Sequence, residues 1–184
     1  MSKPERVVEV RLRPFQLRDL PQLEEWLQPE QDWHLWDAPY FPKPPPAVAA
    51  HIARLRVRIS EGDPEQDEFA IVAGDDSLVG RAAWHWEHLA SRWARCGLTV
   101  YDPALRGKGI GAHALRMLTD EVFRTSTAHR LDFVTWSGNL AMCRVGEKLG
   151  WTKEASFREA RDVRGKRYDS VIYGILRAEW AGSP

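Results

Sequence analysis

Hydrophobic residues alternate with polar residues in some segments of the chain and recur every three to four residues in others. The alternation from Val8 to Leu12 predicts a first strand with one buried face. The spacing of Leu20, Leu23 and Leu27 predicts a helix, for which Asp19 is a suitable N-terminal cap. The start of the chain is therefore predicted to be a strand followed by a helix.

Later segments predict further helices and short strands. The predicted helices are Ala47–Ile59, Ile110–Val122 and the segment from Asn139 to Leu149. The predicted strands are Phe69–Ala73, Leu78–Glu87, Trp93–Tyr101, Leu131–Trp136, Thr152–Asp162 and Arg167–Leu176. The resulting order is β α α β β β α β α β β, with a single β-α-β crossover. It predicts an α+β fold, a mixed and mostly antiparallel sheet flanked by helices, in one domain over residues 1–184.

Composition excludes several classes of function. The 26 basic and 26 acidic residues leave no net charge that would favour nucleic acid or an anionic membrane. Cys96 and Cys143 have neither CxxC spacing nor obvious histidine partners, which indicates a reduced, cytoplasmic protein without a structural metal. No stretch approaches the roughly 20 apolar residues of a membrane span, and the N-terminal segment lacks the apolar centre of a signal peptide.

A basic, glycine-rich segment from Arg106 to Gly111 (RGKGIG) joins a predicted strand to a predicted helix. Glycine lets the backbone approach a ligand closely, and the free N–H groups of a helix start attract negative charge. The segment therefore predicts a phosphate or pyrophosphate site, although a turn that only starts a helix is the alternative. The Gly109 that follows Lys108 breaks a Walker A motif, and G-x-G-x-G differs from the G-x-G-x-x-G dinucleotide motif.

The spacing R-x-x-G-x-G of Arg106, Gly109 and Gly111 resembles the acetyl-CoA loop of the GNAT N-acetyltransferase superfamily. The element order is similar to that fold over almost the whole chain, and NLAMCRVGEKLGW at 139–151 resembles its N-x-x-x-x-R-x-x-E-K-L-G-F/W helix. The segments VRLRPFQLRDLPQLEEWL and YDSVIYGILRAEW resemble the RimJ/RimL branch. The resemblance implies an N-acetyltransferase in which a primary amine, either a peptide N-terminus or a small molecule, attacks acetyl-CoA directly in a ternary complex.

The resemblance also implies how acetyl-CoA is held. The thioester carbonyl would bind main-chain N–H groups at a bulge near Leu98–Val100, and the pantetheine arm would pair with that strand. The implied cofactor-binding residues are Leu98, Thr99, Val100, Arg106, Gly107, Lys108, Gly109, Ile110, Gly111, Asn139, Arg144 and Lys148. Asn139 is equally explained as a helix cap, and Lys148 as a solvated surface lysine.

The usual catalytic side chains of the superfamily are missing from this chain. Gly146 stands where many members have tyrosine, Met142 where the RimJ/RimL branch often has serine, and Arg95 where an acidic residue is common. The remaining catalytic candidates are Glu87 and His85 as bases and Cys143 as an acid. Each also has a structural explanation, as a solvated strand end, a packed edge histidine and a small buried helix residue.

Aromatic and acidic residues indicate where the amine would bind, because aromatic faces and carboxylates suit a cation. The candidate substrate-binding residues are Trp33, Trp36, Asp37, Trp84 and Trp86. Strand alternation places Trp84 and Trp86 on one face with His85 on the other, and sheet core is the alternative for both tryptophans. A catalytically degenerate acyl-CoA-binding module on the same fold is the alternative function. No nucleic-acid or membrane partner is expected, and a homodimer is left open.

Overall fold

A computed structural model gives the structure of residues 9–41, 45–62 and 66–181. The strands are β1 (Val10–Pro14), β2 (Glu68–Ala73), β3 (Ser77–His88), β4 (Trp93–Val100), β5 (Arg130–Trp136), β6 (Thr152–Val163) and β7 (Lys166–Leu176). The helices are α1 (Leu20–Trp26), α2 (Pro45–Glu61), α3 (Ile110–Thr125), α4 (Leu140–Lys148) and α5 (Arg177–Ala181). The observed order is the predicted one with α5 added, and the predicted start of the first strand at Val8 lies outside the described residues. No helix within these ranges is long and apolar enough to cross a membrane.

A seven-stranded sheet, in the order β1-β2-β3-β4-β5-β7-β6, organises the described part of the chain. Neighbouring strands are antiparallel except β4 and β5, which are parallel. Helix α3 connects those two strands, as parallel strands require a crossover. The α+β fold with one β-α-β unit is therefore confirmed.

Helices cover both faces of this sheet, and each face has its own hydrophobic core. The core on the face covered by α3 and α4, here called the α3 face, includes Phe69, Ile71, Leu115, Leu118, Val122 and Phe133. The core on the other face, here called the α1–α2 face, includes Leu20, Leu23, Ile52, Leu55 and Tyr101. Because successive side chains of a strand point to opposite faces, neighbouring residues of β3 and β4 enter different environments.

The parallel strands β4 and β5 pair only where they begin. Trp93–Arg95 lies in register with Arg130–Asp132, and the two strands then separate. The register of β4 with β3 continues unbroken from Ala94 to Val100, so the predicted bulge at Leu98–Val100 is wrong. Separation of the two strands, rather than a bulge, frees the backbone edge of β4 that would otherwise pair with β5.

The helix caps differ in how well local sequence predicted them. The Asn139 side chain accepts a hydrogen bond from the backbone three residues on, at 3.1 Å, and caps α4 as predicted. The predicted cap of α1 by Asp19 is wrong, since that side chain makes no hydrogen bond to the start of α1. Its carboxylate instead accepts from Arg13 of β1 at 2.7 Å and from the Gln16 N–H at 2.8 Å. A charged donor gives the stronger bond, and the carboxylate is oriented towards it.

Candidate functional site

A cavity of about 870 Å³ opens where β4 and β5 separate. Its walls come from the ends of both strands, the starts of α3 and α4, and the loop that carries Trp33 and Trp36. The predicted site residues that line it are Trp33, Trp36, Asp37, His85, Leu98, Thr99, Val100, Arg106, Gly107, Gly109, Gly111, Asn139, Arg144 and Lys148. The predicted site residues that do not line it are Glu87, Lys108, Ile110, Cys143, Trp84 and Trp86. Its volume lies within the roughly 300–1,000 Å³ typical of small-molecule sites.

The glycine loop presents the start of α3 to this cavity. Gly107 and Gly109 have φ of 75° and 82°, in the left-handed region that favours glycine. A Cβ built on either glycine would meet no atom within 4 Å, so the space beside the loop is open. The 16-residue α3 begins at Ile110, and its unpaired N–H groups and dipole favour an anion in that space. The Ile110 side chain is buried in the core, so only its backbone can reach a ligand.

The Arg106 side chain holds the loop in place. Its two terminal nitrogens donate to the Asp32 carboxylate, each at 2.8 Å. Its Nε donates to the Val100 carbonyl at 3.1 Å, and Nη2 donates to the Tyr101 carbonyl at 2.6 Å. The hydrogen bond from Arg106 lowers the pKa of Asp32. The side chain thus joins the end of β4 to the loop before α2, which explains an arginine at this position without a ligand contact.

Helix α4 forms the opposite wall. The Asn139 side chain donates to the Trp36 carbonyl at 3.2 Å, and Trp136 Nε1 donates to the same carbonyl at 2.9 Å. Arg144 and Lys148 lie four residues apart on one face of α4, are exposed and line the cavity. Together with the start of α3 they make this end of the cavity positively charged, which suits phosphate groups.

The other end of the cavity lies over a depression in the α1–α2 face of β3 and β4. The paired residues there are Arg81 with Thr99, Ala83 with Gly97, and His85 with Arg95. Ala83 and Gly97 have little or no side chain, and a Cβ built on Gly97 would meet no atom within 4 Å. We call this depression the Gly97 hollow. It is bounded by the polar pair Arg81 and Thr99 on one side and by His85 and Arg95 on the other.

The ionic groups around the hollow are already partly paired. Arg95 Nη1 lies 2.9 Å from a Glu87 oxygen, and Arg95 Nε donates to the buried Asp132 at 2.7 Å. These contacts hold Glu87 in an ion pair beside the cavity instead of in it, which removes the geometric basis for Glu87 as the base. The His85 side chain is 62% exposed, lines the cavity and has its Nε2 3.7 Å from Glu87. His85 is therefore the predicted base that faces the open space.

Trp84 and Trp86 do share one face of β3 with His85 on the other, as predicted. That face is the α3 face. The two rings meet edge to face there, with their centroids 5.5 Å apart, and pack against the hydrophobic core. This placement does not support their prediction as substrate-binding residues, because neither side chain lines the cavity. Both faces are covered by helices, so alternation alone could not tell which face held the cavity.

Helix α4 carries one position where the family often has a catalytic tyrosine, Gly146, and one candidate acid, Cys143. A Cβ on Gly146 would lie 2.9 Å from the Phe133 ring and 3.0 Å from the Tyr173 ring, so α4 packs too closely on the sheet for any side chain there. Cys143 does not line the cavity, and its Sγ lies 4.0 Å from the Trp136 carbonyl. Burial raises the pKa of the Cys143 thiol. Its prediction as a catalytic acid is not supported by this placement.

Substitution of Gly146 by alanine is expected to lower the free energy of unfolding by about 1–3 kcal/mol, because the methyl group must displace two packed rings. Urea denaturation measures the change. The control is Gly111→Ala, because a Cβ at Gly111 meets its nearest neighbours at an ordinary 3.8 Å. Equal stability of Gly146→Ala and the unmodified protein would show that α4 can move away from the sheet.

The sequence analysis missed Arg81, which lines the cavity. Its Nε donates to the buried Glu68, and His51 Nε2 lies 3.1 Å from the same carboxylate. Burial acts to raise the pKa of Glu68, but the bonds and charges of His51 and Arg81 outweigh it and lower that pKa to about 2. The available signal was a lone arginine within the apolar segment LVGRAAW, on the same strand face as His85.

Comparison with known proteins links this geometry to a family. The family described as "Acetyltransferase (GNAT) domain" matches residues 9–152. The Bacillus subtilis protein YdaF, provisionally named a ribosomal N-acetyltransferase, is 31% identical over 108 residues, which cover 59% of this chain and 58% of YdaF. The chain thus matches less than two thirds of that relative's length.

Solved structures match nearly the whole chain. A structure from T. thermophilus, provisionally named an acetyltransferase, has a TM-score of 0.65 at 27% identity and covers 99% of this chain and 94% of its own. Spermidine N-acetyltransferase from Vibrio cholerae, in complex with CoA and spermine, has a TM-score of 0.72 at 16% identity and covers 94% of this chain and 98% of its own. At that identity the second match shows the fold alone.

Proposed function

The chain belongs to the GNAT acetyltransferase family, and from that membership we propose that it transfers the acetyl group of acetyl-CoA to a primary amine. The observation that carries the proposal is the continuous cavity of about 870 Å³ between the start of α3 and the Gly97 hollow. One end of this cavity suits phosphate groups. The other end is a small polar depression beside the free edge of β4, where an amine could approach a bound thioester.

Acetyl-CoA fits the residues of the cavity wall. The N–H groups at the start of α3, with Gly107 and Gly109 beside them, would hold the pyrophosphate. Arg144 and Lys148 are placed for the 3′-phosphate or neighbouring charge. The edge of β4 that β5 leaves unpaired offers N–H and C=O groups to the pantetheine arm, as to an added strand. Bound in this way, acetyl-CoA supplies an activated acetyl thioester.

The residues of the hollow can then promote attack by an amine. The attacking nitrogen must be neutral, and His85 is placed to remove its proton, directly or through water. Backbone N–H groups on the β4 edge can donate to the carbonyl oxygen as negative charge develops on it. An N–C bond forms, the C–S bond breaks, and the sulfur leaves as a thiolate. Solvent can protonate that thiolate, because an ordinary thiol has a pKa of about 8.5.

Glu87 has a supporting place in this scheme. At 3.7 Å its carboxylate is too far from His85 Nε2 for a direct hydrogen bond, but it lies within ion-pair distance of the ring when His85 carries a proton. The ion pair with Arg95 fixes the carboxylate there. We infer that His85 is the base and that Glu87 is a positioning residue.

Release of free thiol from acetyl-CoA, measured across a panel of amines, tests the proposed function. The panel includes peptides with a free N-terminus, a polyamine and amino acids, and mass spectrometry of the product verifies the acetamide. Amine-dependent thiol release is the expected result. Tight CoA binding without turnover of any amine would instead support an acyl-CoA-binding module without catalysis.

A further inference from the structure

Arg81 faces the Gly97 hollow with most of its hydrogen-bonding capacity unused. Its Nε donates to Glu68, and its two terminal nitrogens make no hydrogen bond to any residue in the described ranges. The side chain is 34% exposed and lines the cavity, so its exposed part opens towards the hollow. A guanidinium has five N–H donors in a rigid planar fork, and the four on the terminal nitrogens remain available to a ligand.

Glu68 binds this arginine through a single N–H group. The Glu68 side chain is 4% exposed and interacts with both Arg81 and His51, so two basic side chains share one carboxylate. Burial acts to lower the pKa of Arg81, but the charges of Glu68 and Asp37 together raise it, and the terminal N–H groups of the guanidinium remain available to a ligand.

Two carboxylates beside the cavity are paired with arginine side chains, and a third binds a hydroxyl group. Arg106 binds Asp32 through two hydrogen bonds, and Arg95 pairs with Glu87. Asp37 lines the cavity and accepts a hydrogen bond from the Thr99 hydroxyl at 3.2 Å. A polycation would meet the Arg81 guanidinium at this end of the cavity, whereas a ligand that carries both an amine and an anion would meet partners for each.

We propose that the acceptor carries a carboxylate close to its amine and that Arg81 binds this carboxylate through its terminal nitrogens. This proposal rests on the proposed acetyltransferase function. Arg81 and His85 lie four positions apart on β3, roughly 13 Å along the strand. The side chains of Arg81 and His85 take up part of this distance. The space left over Ala83 and Gly97 suits an amino-acid-like molecule whose amine and carboxylate are a few bonds apart. The bidentate geometry of a guanidinium matches a carboxylate.

The test compares matched acceptors with saturating acetyl-CoA. Each set contains an amino acid, its carboxamide and the corresponding amine without the carboxylate, and spermidine is added as a polycation. We expect kcat/KM to be roughly ten- to a hundredfold higher for the amino acid of each set than for its carboxamide or amine. This is the range expected for a hydrogen-bonded charge pair. In Arg81→Gln this preference should disappear through a higher KM for the carboxylate, with kcat little changed, and Arg81→Lys should restore part of it.

Two controls separate a binding role from a structural one. In Arg81→Gln the Glu68 carboxylate keeps His51 as a partner but loses Arg81. An unchanged affinity for acetyl-CoA would show that this variant is still folded. Arg58→Gln removes an arginine that pairs with Asp67 and does not line the cavity, and it should leave the preference unchanged. Equal turnover of acceptors with and without a carboxylate, or a preference for spermidine, would overturn this inference alone. Failure of every amine to react would overturn both it and the proposed function.

Discussion

Gly109→Asp is expected to weaken acetyl-CoA binding at least roughly a hundredfold while the protein stays folded. Gly109 precedes α3 in the open part of the cavity, so the new carboxylate would lie where we place the pyrophosphate. Like charges about 4 Å apart repel by ~4 kcal/mol at a protein surface, which corresponds to more than a hundredfold in affinity. Isothermal titration calorimetry with CoA measures the loss, and circular dichroism verifies the fold.

The controls for this substitution separate charge from backbone strain. Gly165→Asp places the same side chain at a φ of 76° in the β6–β7 turn, with no atom within 4 Å of its Cβ, and should bind CoA normally. Gly109→Ala introduces the strain without the charge and should lose much less affinity than Gly109→Asp. If Gly109→Asp retains the affinity of the unmodified protein, the pyrophosphate does not bind beside this loop.

The cofactor end of the site could be predicted from the sequence because local features specify it. The glycines of the loop, the helix that follows and the Asn139 cap are each encoded within a few residues, and all take the expected place. The role of Arg106 could not be predicted in the same way. Its partner Asp32 lies 74 positions away in the chain, and a contact of that separation depends on the tertiary fold.

The opposite end of the site depends on strand register, which the hydrophobic pattern does not specify here. The hollow exists because Ala83 lies opposite Gly97, with Arg81 opposite Thr99 on one side. A shift of β3 by one residue would exchange its two faces and bring Trp84 into the hollow. Both faces of β3 are covered by helices and carry large side chains, so the sequence could not distinguish a substrate-facing tryptophan from a core one.

His85→Gln is expected to lower kcat by roughly a hundredfold or more with little change in acetyl-CoA affinity. General base catalysis typically contributes ~10²–10⁴ in rate, and glutamine keeps a polar side chain that cannot take up a proton. The pH dependence gives a second readout. The variant should lose the part of the pH dependence of the rate that comes from general base catalysis.

His88 provides a matched control on the same strand. Its ring lies 2.8 Å from the Ser91 hydroxyl and does not line the cavity, so His88→Gln should keep both the rate and the pH profile. Turnover by His85→Gln at the rate of His88→Gln would show that the amine loses its proton to another group or directly to solvent. Catalysis would then depend on how the cavity aligns amine and thioester, an effect that can itself contribute ~7–11 kcal/mol.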